Sequence, residues 1–364
     1  MFKPISLSLI CVSFAIISHA QFTVTGIVTD GTTQKPMQGA SVFADNTTLG
    51  TTTDADGRYQ LWLPKGGYDL SVTFTGYTSE SKRVSSNDNV HEYDFTMRPK
   101  EKEMEEVAVV SSSEVKDGWQ KYGGFFMQEF IGNTPNAAAC KILNPEILKF
   151  YFSKKRNRLK VLANEPILVE NKALGYQIKY ALDSFTHEYN TEVSLYTGNP
   201  LFKELIAESD SQYHQWQEAR LHAYQGSMLH FMRSLFNQSL AQEGFEIQFL
   251  VKVNGTDSAL KLKNVYAAMH YEKDDSTQTV EVYPNQNNVG IIYIKEKPSK
   301  LYLNTHPDEP GEFQFSMLTF KPDELIVIEQ NGYYYDQNDI TVSQYWAWSR
   351  LAESLPYDFS PQGY

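Results

Sequence analysis

From Phe22 to Met97, apolar and polar positions alternate with period two, and turn residues interrupt the pattern every eight to twelve positions. Phe22–Val24 with Ile27-Val28, then Ala40–Phe43, Thr51–Thr53, Tyr59–Leu63 and Tyr68–Phe74, all read as short strands. Asp30-Gly31, Asp54-Ala55-Asp56-Gly57 and Pro64-Lys65-Gly66-Gly67 separate them. This rhythm predicts a small antiparallel sandwich, with Asp56-Gly57 as a tight hairpin. Further along, alternation returns at Leu159-Val161, Ile167-Val169, Tyr176–Leu182, Phe245–Val251, Val280-Val282, Ile291-Tyr293, Phe313-Phe315 and Leu325-Val327.

Helical spacing breaks in near 210–243. Ser209 or Asp210 is placed to cap a segment carrying Tyr213, Trp216 and Leu221. A second segment runs from Ser227 through Phe231 and Leu235 to Leu240, with Gly244 at its end. Its apolar stripe predicts packing onto a sheet. A last helix is expected over 343–354, stopped by Pro356. The fold class expected is mainly β: a small sandwich, then a larger antiparallel β-rich α+β domain with a helical segment.

The first twenty residues hold one lysine, an apolar run from Ile5 to Ile17, and Ser18-His19-Ala20. That is the layout of a secretory signal peptide cleaved after Ala20, and the run is too short to span a bilayer. The expected division is therefore 1–20 leader, 21–98 sandwich, 99–117 linker and 118–364 C-terminal domain. The linker joins a charged stretch, Lys100 to Glu106, to Val107-Ala108-Val109-Val110, which reads as an added edge strand or a continued connector. With Cys11 removed, Cys140 has no intramolecular partner, and Ala137–Ala139 beside it point to a buried thiol.

Charge narrows the partners. The chain has 32 Lys and Arg against 44 Asp and Glu, a net −12, which argues against nucleic acid. Tyr and Phe number 23 and 21 beside five Trp, a bias towards strands.

The search for chemistry is mostly negative. His306-Pro307-Asp308-Glu309 has the spacing of two zinc ligands, but no histidine lies beyond it to complete a site. Asp54 and Asp56 do not extend to a calcium loop, since Thr52 and Leu63 stand where carboxylates are needed. Ser79-x-x-Lys82 and Ser113-x-x-Lys116 lack companion motifs, and no complete zinc, serine or cysteine hydrolase pattern is present. No catalytic residue, metal or cofactor is assigned. The densest polar set is Arg220, His222, His230 and Arg233; His230 and Arg233 share a helix face and suit an anion or an acid with its orienter. Struts that bridge helix to sheet through backbone carbonyls are the favoured explanation, since spacing assigns them no nucleophile or carboxylate partner. Tyr333-Tyr334-Tyr335, Trp346 and Trp348 offer flat rings for a glycan, with Tyr333 and Tyr335 on one side of a strand. The binding candidates are thus Arg220, His230, Arg233, Tyr333, Tyr335, Trp346 and Trp348.

Gly26–Asp30, Pro36–Val42, Gly50–Tyr59 and Gly76-Tyr77 resemble, in order, the carboxypeptidase-like regulatory domain. The resemblance implies a seven-stranded, prealbumin-like β-sandwich of exported Gram-negative proteins, joined there to varied partners that include outer-membrane TonB-dependent receptors. It implies no peptidase activity. A receptor barrel of about 22 strands would not fit in the residues beyond the linker. From Trp119 the chain resembles a C-terminal region found behind this sandwich in exported proteins. Phe130-Ile131-Gly132, Glu165-Pro166-Ile167, Leu174-Gly175-Tyr176, Tyr224–Ser227, His230–Leu235 and Trp346-Ala347-Trp348 carry that likeness. These readings converge on an exported, non-catalytic binding or assembly protein of the periplasm or outer membrane. Its partner would be an envelope protein or a glycan, and no transmembrane segment is expected after leader cleavage. The alternative is a hydrolase centred on His230 and Arg233, or a carboxypeptidase-related activity by family name only.

Overall fold

The computed structural model describes residues 21–99, 114–254, 256–335 and 339–361. The leader reading at 1–20 and the edge-strand reading at 107–110 lie outside them, as does Ser113.

Seven strands build the N-terminal unit: β1 (Gln21–Asp30), β2 (Ser41–Ala44), β3 (Gly50–Thr52), β4 (Arg58–Pro64), β5 (Gly67–Thr73), β6 (Glu80–Ser85) and β7 (Phe95–Met97). They form two sheets, ordered β4-β1-β7 and β3-β2-β5-β6, closed over Val24, Val28, Val42, Leu63, Tyr68 and Val72. The alternation read from the sequence is this inner face. Two details differ. β7 joins β1 in parallel, so the sandwich is not wholly antiparallel. Asp54 to Gly57 is no hairpin: β3 pairs with β2 and β4 with β1, so the turn crosses between sheets. Asp54 Oδ1 accepts from the N–H groups of Asp56 and Arg58 at 2.9 and 2.8 Å, and Gly57 takes φ +71°. A carboxylate spent on two backbone donors makes a corner as readily as a hairpin.

The next unit is a four-stranded antiparallel meander. β8 (Cys140–Ile142) and β9 (Leu148–Ser153) act as one interrupted strand, and so do β10 (Arg158–Ala163) and β11 (Ile167–Asn171). One register runs through both halves, with Arg158 opposite Ser153 and Val169 opposite Ile142. β12 (Tyr176–Glu188) and β13 (Val193–Glu204) complete it, with an irregularity between Leu182 and Ser184. On its inner face lies α1 (Gly118–Phe130), where Phe126 and Phe130 meet Phe150, Phe185, Tyr180 and Tyr196 edge-on. Sequence periodicity missed this helix. Gly123 and Gly124 interrupt it and its aromatics favour strands, so burial against the meander supplies what propensity does not.

Three helices come next: α2 (Asp210–Tyr224), α3 (Met228–Phe236) and α4 (Leu240–Glu243). Ser209 caps the first through Gln212 N–H, and Gly244 ends the last at φ +90°, as the spacing predicts. Tyr213 departs from the expected stripe, being 46% exposed. Trp216 lies against Gly175, where φ is +69° and a Cβ would come within 2.2 Å of the indole.

A second sheet takes the order β15-β14-β18-β19-β21, from β14 (Phe245–Val253), β15 (Thr256–Lys261), β18 (Asn288–Tyr293), β19 (Gln314–Phe320) and β21 (Ile340–Gln344). A small sheet of β16 (Glu272–Asp274), β17 (Thr279–Val282) and β20 (Ile326–Ile328) abuts it, with α5 (Val265–Ala268) and α6 (Lys300–Thr305) in its connections. α3 seals this core through Phe231, Met232 and Leu235. The helix expected over 343–354 is instead the end of β21, then α7 (Tyr345–Trp348) and a 3-10 turn at Leu351–Glu353. Gln344 and Arg350 hold positive φ there, and Trp346 N–H is drawn to Ser316 Oγ at 3.2 Å.

The sandwich is bound to the rest by backbone pairing. Asn46 N–H donates to Pro200 O at 2.7 Å and Phe202 N–H to Thr47 O at 2.8 Å, while Tyr357 N–H donates to Asn46 O at 2.7 Å. Between the units, Asp45 Oδ2 accepts from Ser71 Oγ at 2.8 Å and Asn199 Nδ2 at 2.5 Å, and its Oδ1 is buried without a partner. Burial pushes this carboxyl up to about 8, and Asp69 and Asp183 add to the upward push. A second tie comes from α3, where Arg233 donates to the carbonyls of Asn331, Tyr357 and Phe359.

Two outcomes are expected. Asp45 binds its proton more tightly in the folded chain than in the unfolded one, where its carboxyl titrates near 3.8. Its contribution is therefore full below about pH 4 and declines as pH rises towards about 8, by at most ~1.4 kcal/mol per pH unit. Asp45→Asn removes that slope, and urea denaturation of both proteins across this window measures it; equal slopes would refute the assignment. Arg233→Met strips donors from its three carbonyls, at ~1 kcal/mol or more each. The urea midpoint should fall by the equivalent of roughly 3 kcal/mol, and an unchanged midpoint would count against the strut.

Candidate functional site

A cleft of about 890 Å³ opens between α2, the start of α3 and the segment from Val342 to Tyr357. Its aromatic wall comes from that last segment. Trp346 is held by Nε1–H donating to Gly226 O at 2.7 Å and packs on Phe231. Trp348 and Tyr345 lie 5.5 Å apart at 34°, backed by Tyr302 at 5.6 and 5.0 Å. Met228, Leu229 and Met232 from α3 supply the apolar remainder. Trp346, Trp348 and Tyr345 are half-buried and line the cleft, whereas Tyr302 is buried behind them.

Three titratable groups share this space: His222 on α2, Glu296 after β18, and Glu353 in the 3-10 turn. Burial raises both carboxyls above their ordinary value, and the charge of His222 opposes the rise at each. Glu353 accepts from Asn136 Nδ2 at 2.8 Å, and Gln314 Nε2 donates to Glu296 at 3.3 Å. Aromatic faces beside hydrogen-bonding carboxyls form a surface for a ligand that is apolar on one side and polyhydroxylated on its edges. Among the described residues no group of three or more His, Cys, Asp or Glu is arranged to hold a metal ion.

The residues singled out by sequence divide between this cleft and the scaffold. Trp346 and Trp348 line the cleft. Tyr333 and Tyr335 are not on a strand; they leave the 329–332 turn towards the sandwich, while Tyr334 faces the cleft. Tyr333 OH donates to Asp69 Oδ1 at 3.0 Å and Tyr335 OH to Glu329 at 2.6 Å, so their hydroxyls are engaged within the fold. Arg220 donates to Leu174 O and Gly175 O, pairs with Glu204 at 3.0 Å and lies over the Tyr176 ring. Arg233 gives its three nitrogens to Asn331 O, Phe359 O and Tyr357 O at 2.9, 2.9 and 2.8 Å.

His230 and Arg233, though three apart, do not converge on a common anion site. The His230 ring is enclosed by Tyr224, Phe245 and Tyr293; its Nδ1 accepts from Gly226 N–H and its Nε2 lies 3.3 Å from Glu243. Burial lowers its pKa, and Glu243 pulls the other way. Ser227 Oγ, the nearest hydroxyl in sequence, accepts from the backbone N–H of His230 as the helix cap. Cys140 is half-buried, with its thiol pushed up to about 12 by burial, the state of an unreactive cysteine. Glu296, Glu353 and Tyr345 escaped the sequence reading because no spacing links them; three separate connections bring them together.

Residues 24–109 match the family model of the CarboxypepD_reg-like domain. The chain is 37% identical over 117 residues to the TonB-dependent receptor SusC of Bacteroides thetaiotaomicron, covering 32% of this chain and 11% of the receptor. It is 32% identical over 98 residues to the TonB-dependent receptor P39 of Formosa agariphila, covering 27% and 9%. The chain therefore spans about a tenth of the length of these relatives. Among solved structures, a DUF3823 family protein from Bacteroides ovatus aligns at 12% identity over 52% of this chain and 83% of that one, with a TM-score of 0.18. No helix among the described residues is long and apolar enough to cross a membrane. Residues 24–109 of this chain are a CarboxypepD_reg-like domain, of the kind these receptors carry.

Proposed function

We propose that this chain is a non-catalytic binding protein of the bacterial cell envelope, taking a glycan in the ring-walled cleft of its C-terminal part. The observation that carries the reading is the placement of Trp346, Trp348 and Tyr345 beside Glu296 and Glu353. Indole and phenol faces stack on the C–H faces of a sugar, and carboxyls whose pKa burial raises stand beside them to hydrogen-bond along its hydroxyl edge. A cleft of about 890 Å³ has room for a short oligosaccharide. Export and envelope residence rest on the leader pattern at 1–20 and on the domain shared with TonB-dependent receptors. In this reading the sandwich is a docked module that braces the wall of the cleft.

Titration of intrinsic tryptophan fluorescence with neutral oligosaccharides of graded length tests the proposal. Trp348→Ala should weaken binding about tenfold, the equivalent of ~1.4 kcal/mol for one stacked ring. Tyr335→Phe, whose hydroxyl is spent on Glu329, should leave affinity unchanged. Equal affinity of the Trp348 variant and the parent, or saturation by none of the sugars, would remove the cleft as a glycan site.

A further inference from the structure

The meander, whose outer face turns away from α1 and the cleft, reverses the charge of the chain. Residues 141–203 contain ten Lys and Arg against six Asp and Glu, in a protein of net charge −12. Pairing register sets which of them share a face. Leu159, Val161 and Ala163 point inward, so Arg158, Lys160 and Leu162 point outward. Lys160 is opposite Tyr151 on one side and Thr186 on the other, and Thr186 is opposite Leu195. The neighbouring rows place Lys149 beside Leu162, and Arg158 beside Glu188 and Val193. At the end of the sheet the β9–β10 turn presents Lys154, Lys155 and Arg156, all exposed.

Two properties define what such a face can hold. Among the described residues Lys141, Lys149, Lys154, Lys155, Arg156 and Lys160 make no ion pair, whereas Arg158 pairs with Glu188. Apolar side chains stand exposed among them, Leu195 at 62% and Val193 at 44%. Unneutralised lysines attract phosphate, and exposed aliphatic groups on the same surface seek an apolar phase. A hydrated acidic polysaccharide satisfies only the first demand. The headgroup region of a bilayer satisfies both, with acyl chains immediately below a plane of phosphates. Four strands at about 4.8 Å give a surface roughly 14 Å across before side chains, broad enough to meet many headgroups at once.

We propose that the outer face of the meander docks on the anionic headgroup surface of a phospholipid bilayer, through Lys149, Lys154, Lys155, Arg156 and Lys160 with Leu195 at the apolar edge. The cleft then opens on the other side of the sheet, away from the membrane. This inference is independent of the glycan reading, because no residue of the cleft takes part.

Sedimentation of the full chain with phospholipid vesicles tests it. Vesicles of phosphatidylcholine with about a third phosphatidylglycerol are compared with pure phosphatidylcholine at about 0.1 M salt, where screening acts over about 10 Å. The apolar run at 5–17 contributes equally to parent and variant, so the readout is the difference between them. The fourfold variant Lys149→Gln, Lys154→Gln, Lys155→Gln, Arg156→Gln should lose at least about tenfold in partition to anionic vesicles, and nothing on neutral ones. Leu195→Ser should weaken the same binding severalfold, and added salt should release the parent. These side chains are exposed, and an unchanged thermal midpoint verifies that the variants fold. Equal binding of parent and fourfold variant, or equal binding to both vesicle types, would overturn the proposal. So would retention on heparin without sedimentation on anionic vesicles, which would assign the face to an acidic polysaccharide.

Discussion

The guanidinium of Arg233 binds three carbonyls that belong to two distant stretches of chain, Asn331 in one and Tyr357 and Phe359 in the other. Much else depends on that fork. It fixes the 329–335 turn, from which Tyr334 faces the cleft and Tyr333 and Asn331 reach the sandwich. It also fixes the stretch at 357–359, whose Tyr357 N–H and Asp358 carboxylate bind Asn46 and Thr48 of the sandwich. A planar group with five N–H donors can serve three acceptors at once, which a lysine cannot. The half-buried setting of Arg233 makes this a structural use of charge: its donors face carbonyls, and the desolvated guanidinium is compensated by dipoles.

From that tie the cleft acquires its character. Its aromatic wall is a short segment of little regular structure, and such a segment keeps its rings in place only if its backbone is pinned at several points. Trp346 Nε1 on Gly226 O, Trp346 N–H on Ser316 Oγ, Arg350 on Glu129 and Ala352 N–H on Ile131 O provide those points. The pins come from α1, the α2–α3 connection and β19, so the cleft is a property of the assembled C-terminal part and not of any one element. The carboxyls of Glu296 and Glu353 owe their raised pKa to the same enclosure.

Charge shows how far an average can mislead. A net −12 describes the chain as a poor partner for polyanions, yet the meander gathers on one face lysines that form no ion pair among the described residues. The alternation that places Leu159 and Val161 inward necessarily places Arg158 and Lys160 outward, and strand pairing then brings Lys149 and Lys160 into adjacent rows. Where the sandwich docks, the meander's own Asp183 joins Asp69 in adding to the push by which burial raises the Asp45 carboxyl to about 8.

Local sequence by itself determined the sandwich strands β1 to β5, the meander strands β10, β11 and β12, and the caps at Ser209 and Gly244, because those choices depend on neighbours within a few residues. It also contained the leader pattern and the blocks that mark residues 24–109 as a CarboxypepD_reg-like domain. Tertiary structure alone decided the rest. α1 is a helix because Phe126 and Phe130 find a sheet to cover, against its own propensity. Asp54 to Gly57 crosses between sheets because each flanking strand has a better partner elsewhere. The division of Arg220, His230 and Arg233 from Trp346 and Trp348, and the gathering of His222, Glu296 and Glu353 around one cleft, depend on long-range pairing. Local sequence carries no energy term for contacts of that kind until the chain has folded.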